Sequence, residues 1–212
     1  MSPWLNLLIG LALGLNLLAL ASGRLPSLIR SAAAQGIVIG TLPLLLGHTG
    51  WQTAAFALCT VAVKGLIIPA LLRRALRASH IDREIEPIIG YIPPLLLGAG
   101  ATIASVALAE ALPLRPEHAG SLLVAGAFAT VFTGFLLLTS RSKAIAQVCG
   151  YLFLENGIYL FGLLLIRATP VIVEAGILLD LTVAIFVIGI IVDRIQREFD
   201  SLDTRKLTVL RE

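Results

Sequence analysis

The stretch that decides the fold runs from residue 144 to residue 166 and reads AIAQVCGYLFLENGIYLFGLLLI. A helix needs roughly 17–25 mostly apolar residues to cross the hydrocarbon core of a bilayer. This stretch has that length, and Glu155 is its only charged residue. It therefore predicts a transmembrane helix.

Six further apolar runs of this kind lie on either side of that stretch. They cover residues 3–21, 31–47, 51–72, 88–112, 119–139 and 170–192. Only 14% of all residues are charged, whereas a soluble domain carries about 25%. The runs are too continuous for the alternating strands of a barrel. We therefore predict an all-α integral membrane protein of about seven transmembrane helices.

The basic residues predict the orientation of these helices. With the N-terminus outside, thirteen of the 16 Lys and Arg residues fall on the cytoplasmic side, and only Arg115 and Arg167 remain outside. Basic residues concentrate on the cytoplasmic side of membrane proteins. The bias predicts a multi-pass protein of a bacterial or archaeal inner membrane, with the N-terminus outside and the C-terminus in the cytoplasm.

The chain divides into a transmembrane bundle, residues 1–192, and a cytoplasmic tail, residues 193–212. Within the bundle we expect three helices with a loop, a connector helix and a second three-helix unit, at residues 1–87, 88–118 and 119–192. The sequences RSAAAQ at 30–35 and RSKAIAQ at 141–147 suggest that helices 1–3 and 5–7 form a parallel repeat.

Three ionisable residues lie near the middle of predicted helices: Lys64, Glu155 and Asp180. Each costs roughly 2.5–3.5 kcal/mol at a helix centre, and such residues usually mark a proton or ion route. A static ion pair of Lys64 with Asp180 or Glu155, or binding of another ion, is the alternative. Glu174 lies nearer the outer end of its helix and is either interfacial or an exit point.

A polar stripe surrounds Glu155 on its own helix. Gln147, Tyr151, Glu155 and Tyr159 recur every four residues, which places them on one helix face. We therefore add Gln147 and Tyr151 to the candidate pathway. The spacings Gly10/Gly14 and Gly36/Gly40 predict close helix packing.

No sequence pattern indicates a catalytic centre. The chain has no phosphate-binding glycine loop, nucleophile elbow or cysteine cluster. We therefore expect no cofactor and no metal site. We also expect no nucleic-acid partner, because the basic residues follow the membrane topology.

Three segments resemble the family called hydrogenase-4 component E. They are QVCGYLFLENGI at 147–158, EAGILLD at 174–180 and FDSLDT at 199–204. The resemblance implies a membrane subunit of group 4 NiFe-hydrogenase and formate hydrogenlyase complexes, whose last three helices are similar to the complex I K subunit and the Mrp antiporter C subunit. Its partners would be other membrane and peripheral subunits, including antiporter-like ones.

The resemblance also implies a role for Glu155, which matches the carboxylate of the K-type second helix through its Glu-Asn context. Asp180 and Glu174 compete for the third-helix carboxylate. We therefore predict a non-catalytic subunit of an oxidoreductase complex that contributes buried carboxylates to proton or sodium translocation. An Mrp-type cation/proton antiporter subunit and a purely structural scaffold are the alternatives.

Overall fold

The computed structural model describes residues 3–46, 51–78, 87–112 and 122–165 of the 212-residue chain. Every regular element in these ranges is helical. The elements are α1 (Pro3–Ala21), α2 (Leu25–Leu45), α3 (Trp51–Ala62), a π-helical segment (Val63–Ile67), α4 (Ile68–Ala78), α5 (Ile92–Ala111), α6 (Leu123–Ser140) and α7 (Ala144–Leu165).

Six of the resulting helices are long and apolar enough to cross a membrane, with α3, the π-helical segment and α4 forming one continuous span. The prediction of an all-α, multi-pass membrane protein is confirmed to that extent. The run at 170–192, the tail at 193–212, Glu174 and Asp180 lie outside the described residues. The count of seven, the orientation and the repeat stay predictions.

The second helix begins earlier than the apolar run that predicted it. It begins at Leu25 instead of residue 31, with Pro26 in its first turn, where the missing N–H of proline costs no hydrogen bond. Arg30 is exposed on this helix. A charged residue that points away from the bundle does not end a helix, although it ends an apolar run.

The third span changes its helical pitch at Lys64. Val63–Ile67 is π-helical, and the span continues to Ala78 instead of ending at residue 72. Short π-helical turns inside α-helices occur frequently at functional sites. In α4, Leu72 and Ala75 are buried while Arg73 and Arg77 are exposed, so this end of the span is amphipathic.

Glycines allow the closest helix contacts. A Cβ on Gly157 of α7 would lie 2.6 Å from the Val131 nitrogen of α6, and a Cβ on Gly40 of α2 would lie 2.9 Å from Val61. The predicted packing at Gly36/Gly40 is therefore confirmed. A Cβ on Gly10 or Gly14 would meet nothing within 4 Å, so the predicted close approach at this second pair is not found in the described parts of the chain.

Two apolar clusters occupy opposite ends of the bundle. The first includes Ala19, Leu28, Leu72, Ile145 and Phe153. The second includes Leu5, Ile9, Ile39, Leu42 and Leu160. On α1, α2 and α7 a short interval separates the residues of the two clusters, and the polar residues of the site lie in these intervals.

Candidate functional site: a buried ion pair and its amide partners

Lys64 and Glu155 form a buried ion pair between the two apolar clusters. The Lys64 Nζ atom donates a hydrogen bond to Glu155 Oε1. The residues are only 6% and 2% exposed. Two of the three ionisable residues predicted to lie near the midplane are thus brought together. Asp180, the third, lies outside the described residues.

Two glycines let the Lys64 backbone approach α2. A Cβ on Gly36 would lie 2.7 Å from the Lys64 Cβ, and a Cβ on Gly65 would lie 2.5 Å from Ile37 Cγ1. A larger side chain at Gly36 would push against the Lys64 backbone, and one at Gly65 would displace the Ile37 side chain. Because the span is π-helical here, its side chains turn relative to those of an α-helix, and Lys64 extends inward to α7.

Three carboxamides and one hydroxyl continue from the ion pair into the bundle. Lys64 Nζ also donates to Asn156 Oδ1 at 3.2 Å, and Asn156 Nδ2 donates to Gln35 Oε1 at 3.1 Å. Gln35 Nε2 donates to Asn16 Oδ1 at 2.6 Å, and Asn16 Nδ2 donates to Thr130 Oγ1 at 3.0 Å. We call Asn156, Gln35 and Asn16 the amide row. Together with Lys64 and Thr130, it links α7, α2, α1, the π-helical segment and α6.

The predicted polar stripe on α7 only partly belongs to this site. The ring of Tyr159 lies beside Lys64, with Nζ 5.4 Å from the ring centroid, in a cation–π arrangement. Tyr151 is partly buried and packs against the first apolar cluster. Gln147 is exposed and donates to the Arg141 carbonyl at 3.1 Å. Glu174 lies outside the described residues.

The arrangement holds two opposite charges in the apolar interior of a membrane helix bundle. A buried ion pair survives only where further hydrogen bonds satisfy its groups, and Asn156 supplies one to the ammonium. A carboxylate such as that of Glu155 can take up a proton, and the Asn156 oxygen and the Tyr159 ring would still face the Lys64 ammonium. The chemistry available here is proton exchange on a carboxylate.

A second buried polar centre lies where α6 meets α7. Arg141 is 0% exposed, and its Nη2 donates a hydrogen bond to the Leu20 carbonyl at 2.6 Å. Its Cζ atom lies 5.1 Å from the centroid of the Tyr91 ring. Burial lowers the pKa of Arg141 from its usual value, and Tyr91 acts in the opposite direction. An arginine stays charged in proteins nonetheless. Arg141 therefore ties the end of α1 to the start of α5 and to the α6–α7 turn.

Sequence reasoning missed four members of the site: Asn16, Gln35, Thr130 and Asn156. All four are buried. A signal for Asn16 was present, since it is a carboxamide inside the apolar run of α1. Thr130 carries no such signal, because a threonine can bond to its own helix backbone and is common in membrane helices.

Comparison with known proteins identifies relatives along most of the chain. It is 34% identical to the uncharacterized protein Rv0085 of Mycobacterium tuberculosis over 191 residues, which cover 89% of this chain and 87% of that protein. It is 28% identical to hydrogenase-4 component E of Escherichia coli, and equally to that of Shigella flexneri, over 163 residues, which cover 76% of this chain and 72% of each relative. No family model and no solved structure matches the chain. The similarity to hydrogenase-4 component E supports the resemblance inferred from the sequence.

Proposed function

The chain belongs to the same protein family as the mycobacterial protein Rv0085, and from its distant similarity to hydrogenase-4 component E we propose that it is a membrane subunit of a hydrogenase-like complex. In this proposal the subunit is non-catalytic and lies in the membrane arm. It contributes buried carboxylates, above all Glu155, to proton or sodium translocation coupled to electron transfer elsewhere in the complex.

The buried Lys64–Glu155 ion pair is the observation that carries the proposal. A membrane helix bundle can fold without internal charges, and each buried charge is costly to insert. Here two opposite charges lie together at mid-bundle, next to a π-helical turn and within a hydrogen-bonded polar cluster. This combination is typical of ion routes through membrane proteins.

The bundle organisation belongs to the proposal as well. We place the N-terminus outside and the C-terminus inside, with the Arg141 end of the bundle facing the cytoplasm. Residues 119–192 form the three-helix unit similar to the complex I K subunit, and Asp180 and Glu174 extend the pathway from Glu155. Residues 193–212 form the cytoplasmic tail, which contacts peripheral subunits.

A scaffold function is the second candidate, and one observation favours it. The ion pair is enclosed between two apolar clusters and is hydrogen-bonded to Asn156, as a fixed structural contact would be. A scaffold requires the pair to stay as it is, whereas translocation requires Glu155 to change its protonation state.

Glu155→Gln separates the two functions. The glutamine keeps the size of the side chain and removes its ability to carry a proton. We expect the complex to assemble, and we expect ion translocation per electron transferred to fall by about tenfold or more. The assay measures hydrogen turnover and proton or sodium uptake together in inside-out membrane vesicles.

Glu110→Gln is the matched control, because Glu110 is an exposed carboxylate near the end of α5. It should leave the ratio of ions to electrons unchanged. Normal translocation by a fully assembled Glu155→Gln complex would reject the pathway function and leave the scaffold.

The partners are tested by affinity purification of the chain in mild detergent, followed by mass spectrometry. Recovery of NiFe and iron–sulfur subunits is the expected result. Recovery of antiporter subunits alone would instead indicate an Mrp-type cation/proton antiporter, and recovery of neither would contradict the proposed complex.

A further inference from the structure

The amide row has one hydrogen-bond direction along its whole length. The Lys64 ammonium has only hydrogens to offer, so the Asn156 atom that meets it must be the oxygen, Oδ1. The Asn156 nitrogen then faces Gln35 Oε1, and the Gln35 nitrogen faces Asn16 Oδ1. The charge on Lys64 therefore sets the orientation of all three carboxamides.

This direction stabilises the positive charge. Each carboxamide turns its negative oxygen end toward Lys64 and its positive NH2 end away, so the three dipoles are aligned. Hydrogen bonds in such a series polarise and strengthen one another in a medium of low dielectric constant. The face of the Tyr159 ring adds a second uncharged partner for the ammonium.

We infer that the amide row compensates the charge of Lys64, so that Glu155 can take up a proton while Lys64 keeps its own. The inference rests on the proposed function, in which Glu155 changes its protonation state. One proton enters the Glu155 carboxylate, none leaves Lys64, and the net charge of the pair rises from zero to plus one. Removing the opposite charge from a buried ion pair is strongly destabilising, and the amide row is what makes the intermediate state accessible.

The experiment is a double-mutant cycle on the thermal stability of the full chain in lipid nanodiscs. Circular dichroism monitors the unfolding and gives the Tm of each variant. Glu155→Gln imitates the protonated state, and Asn156→Leu removes the first carboxamide at similar volume. We expect the double variant to lose about 2–4 °C more in Tm than the sum of the two single losses. The reason is that only the double variant deprives the ammonium of both the opposite charge at position 155 and the carboxamide at position 156.

Lys64→Met distinguishes charge compensation from packing. With the ammonium removed, the same cycle should become additive, because no charge remains to be compensated. Gln35→Leu provides a second variant in case Asn156→Leu does not fold. It breaks the amide row one bond further away and should couple to Glu155→Gln with the same sign and a smaller shift.

Asn6→Leu is the control, since Asn6 is an α1 carboxamide that accepts a hydrogen bond from the Leu122 nitrogen at 3.1 Å, apart from the amide row. The loss of Tm caused by Asn6→Leu should simply add to the loss caused by Glu155→Gln. Additive losses for both Asn156→Leu and Gln35→Leu would overturn the inference, and so would coupling that persists with Lys64→Met. The cycle needs no ion transport, so a Glu155→Gln complex that pumps normally would refute the proposed function without altering the outcome of the cycle.

Discussion

Replacing Gly36 by alanine tests how tightly the ion-pair site is built. The new Cβ would lie 2.7 Å from the Lys64 Cβ and 3.3 Å from both the carbonyl carbon and oxygen of Lys64. Carbon atoms in contact are about 3.5–4.0 Å apart, so α2 and the third span would have to separate by about 1 Å. Two of these three atoms belong to the backbone and cannot turn aside as a flexible side chain would.

The magnitude follows from two opposing effects. Forcing an extra methyl group into a packed interior costs about 1–3 kcal/mol. Alanine is favoured over glycine inside a helix by about 0.5–1 kcal/mol. The net expectation is a loss of about 0–2.5 kcal/mol, and its midpoint near 1.3 kcal/mol lowers Tm by about 3–5 °C for a chain of this size.

The assay is thermal unfolding of the purified chain in lipid nanodiscs, with Gly10→Ala as the matched control. Gly10 also lies in a membrane helix, but its Cβ would meet nothing within 4 Å. Gly10→Ala should therefore leave Tm unchanged or raise it slightly. If Gly36→Ala were as stable as Gly10→Ala, the close approach of α2 to Lys64 would be refuted.

Two further variants test the charged contacts. Lys64→Met removes one partner of the ion pair and should cost about 3–5 kcal/mol, and adding Glu155→Gln should recover most of that loss in an unfolding titration. Independent, additive losses would contradict a direct ion pair. Arg141→Lys keeps the charge but loses the flat guanidinium that reaches both the Leu20 carbonyl and the Tyr91 ring, so Tm should fall by the equivalent of about 2 kcal/mol. Unchanged thermal unfolding of Arg141→Lys would show that this contact does not hold the helix ends together.

The membrane class and the ion-pair candidates could be predicted from sequence because both depend on composition along single helices. Long apolar runs require a bilayer, and a charge inside such a run is visible whatever its neighbours are. The depths of Lys64 and Glu155 followed from counting residues along each helix. The helix ends were less certain, as the early start of α2 at Leu25 shows, because a charged residue at an exposed helix end interrupts an apolar run without interrupting the helix.

The partners of the ion pair could not be predicted in this way. Gln147 shares a helix face with Glu155, yet it is exposed and donates to the Arg141 carbonyl. Lys64 donates to Glu155 and Asn156, because a long side chain meets what the neighbouring helices place at its tip. Asn156 lies next to Glu155 in the chain and meets Lys64 all the same.

By itself, the sequence determined that this protein is a helical membrane bundle with charges buried at mid-depth, because hydrophobic length and the cost of burying charge are properties of each helix alone. Only the tertiary structure decided that Lys64 pairs with Glu155, that its span turns π-helical there, and that Asn16 and Gln35 complete the amide row. Those outcomes depend on which faces of separate helices meet. That in turn depends on the shapes of their surfaces, above all on the gap that Gly36 leaves for the Lys64 backbone.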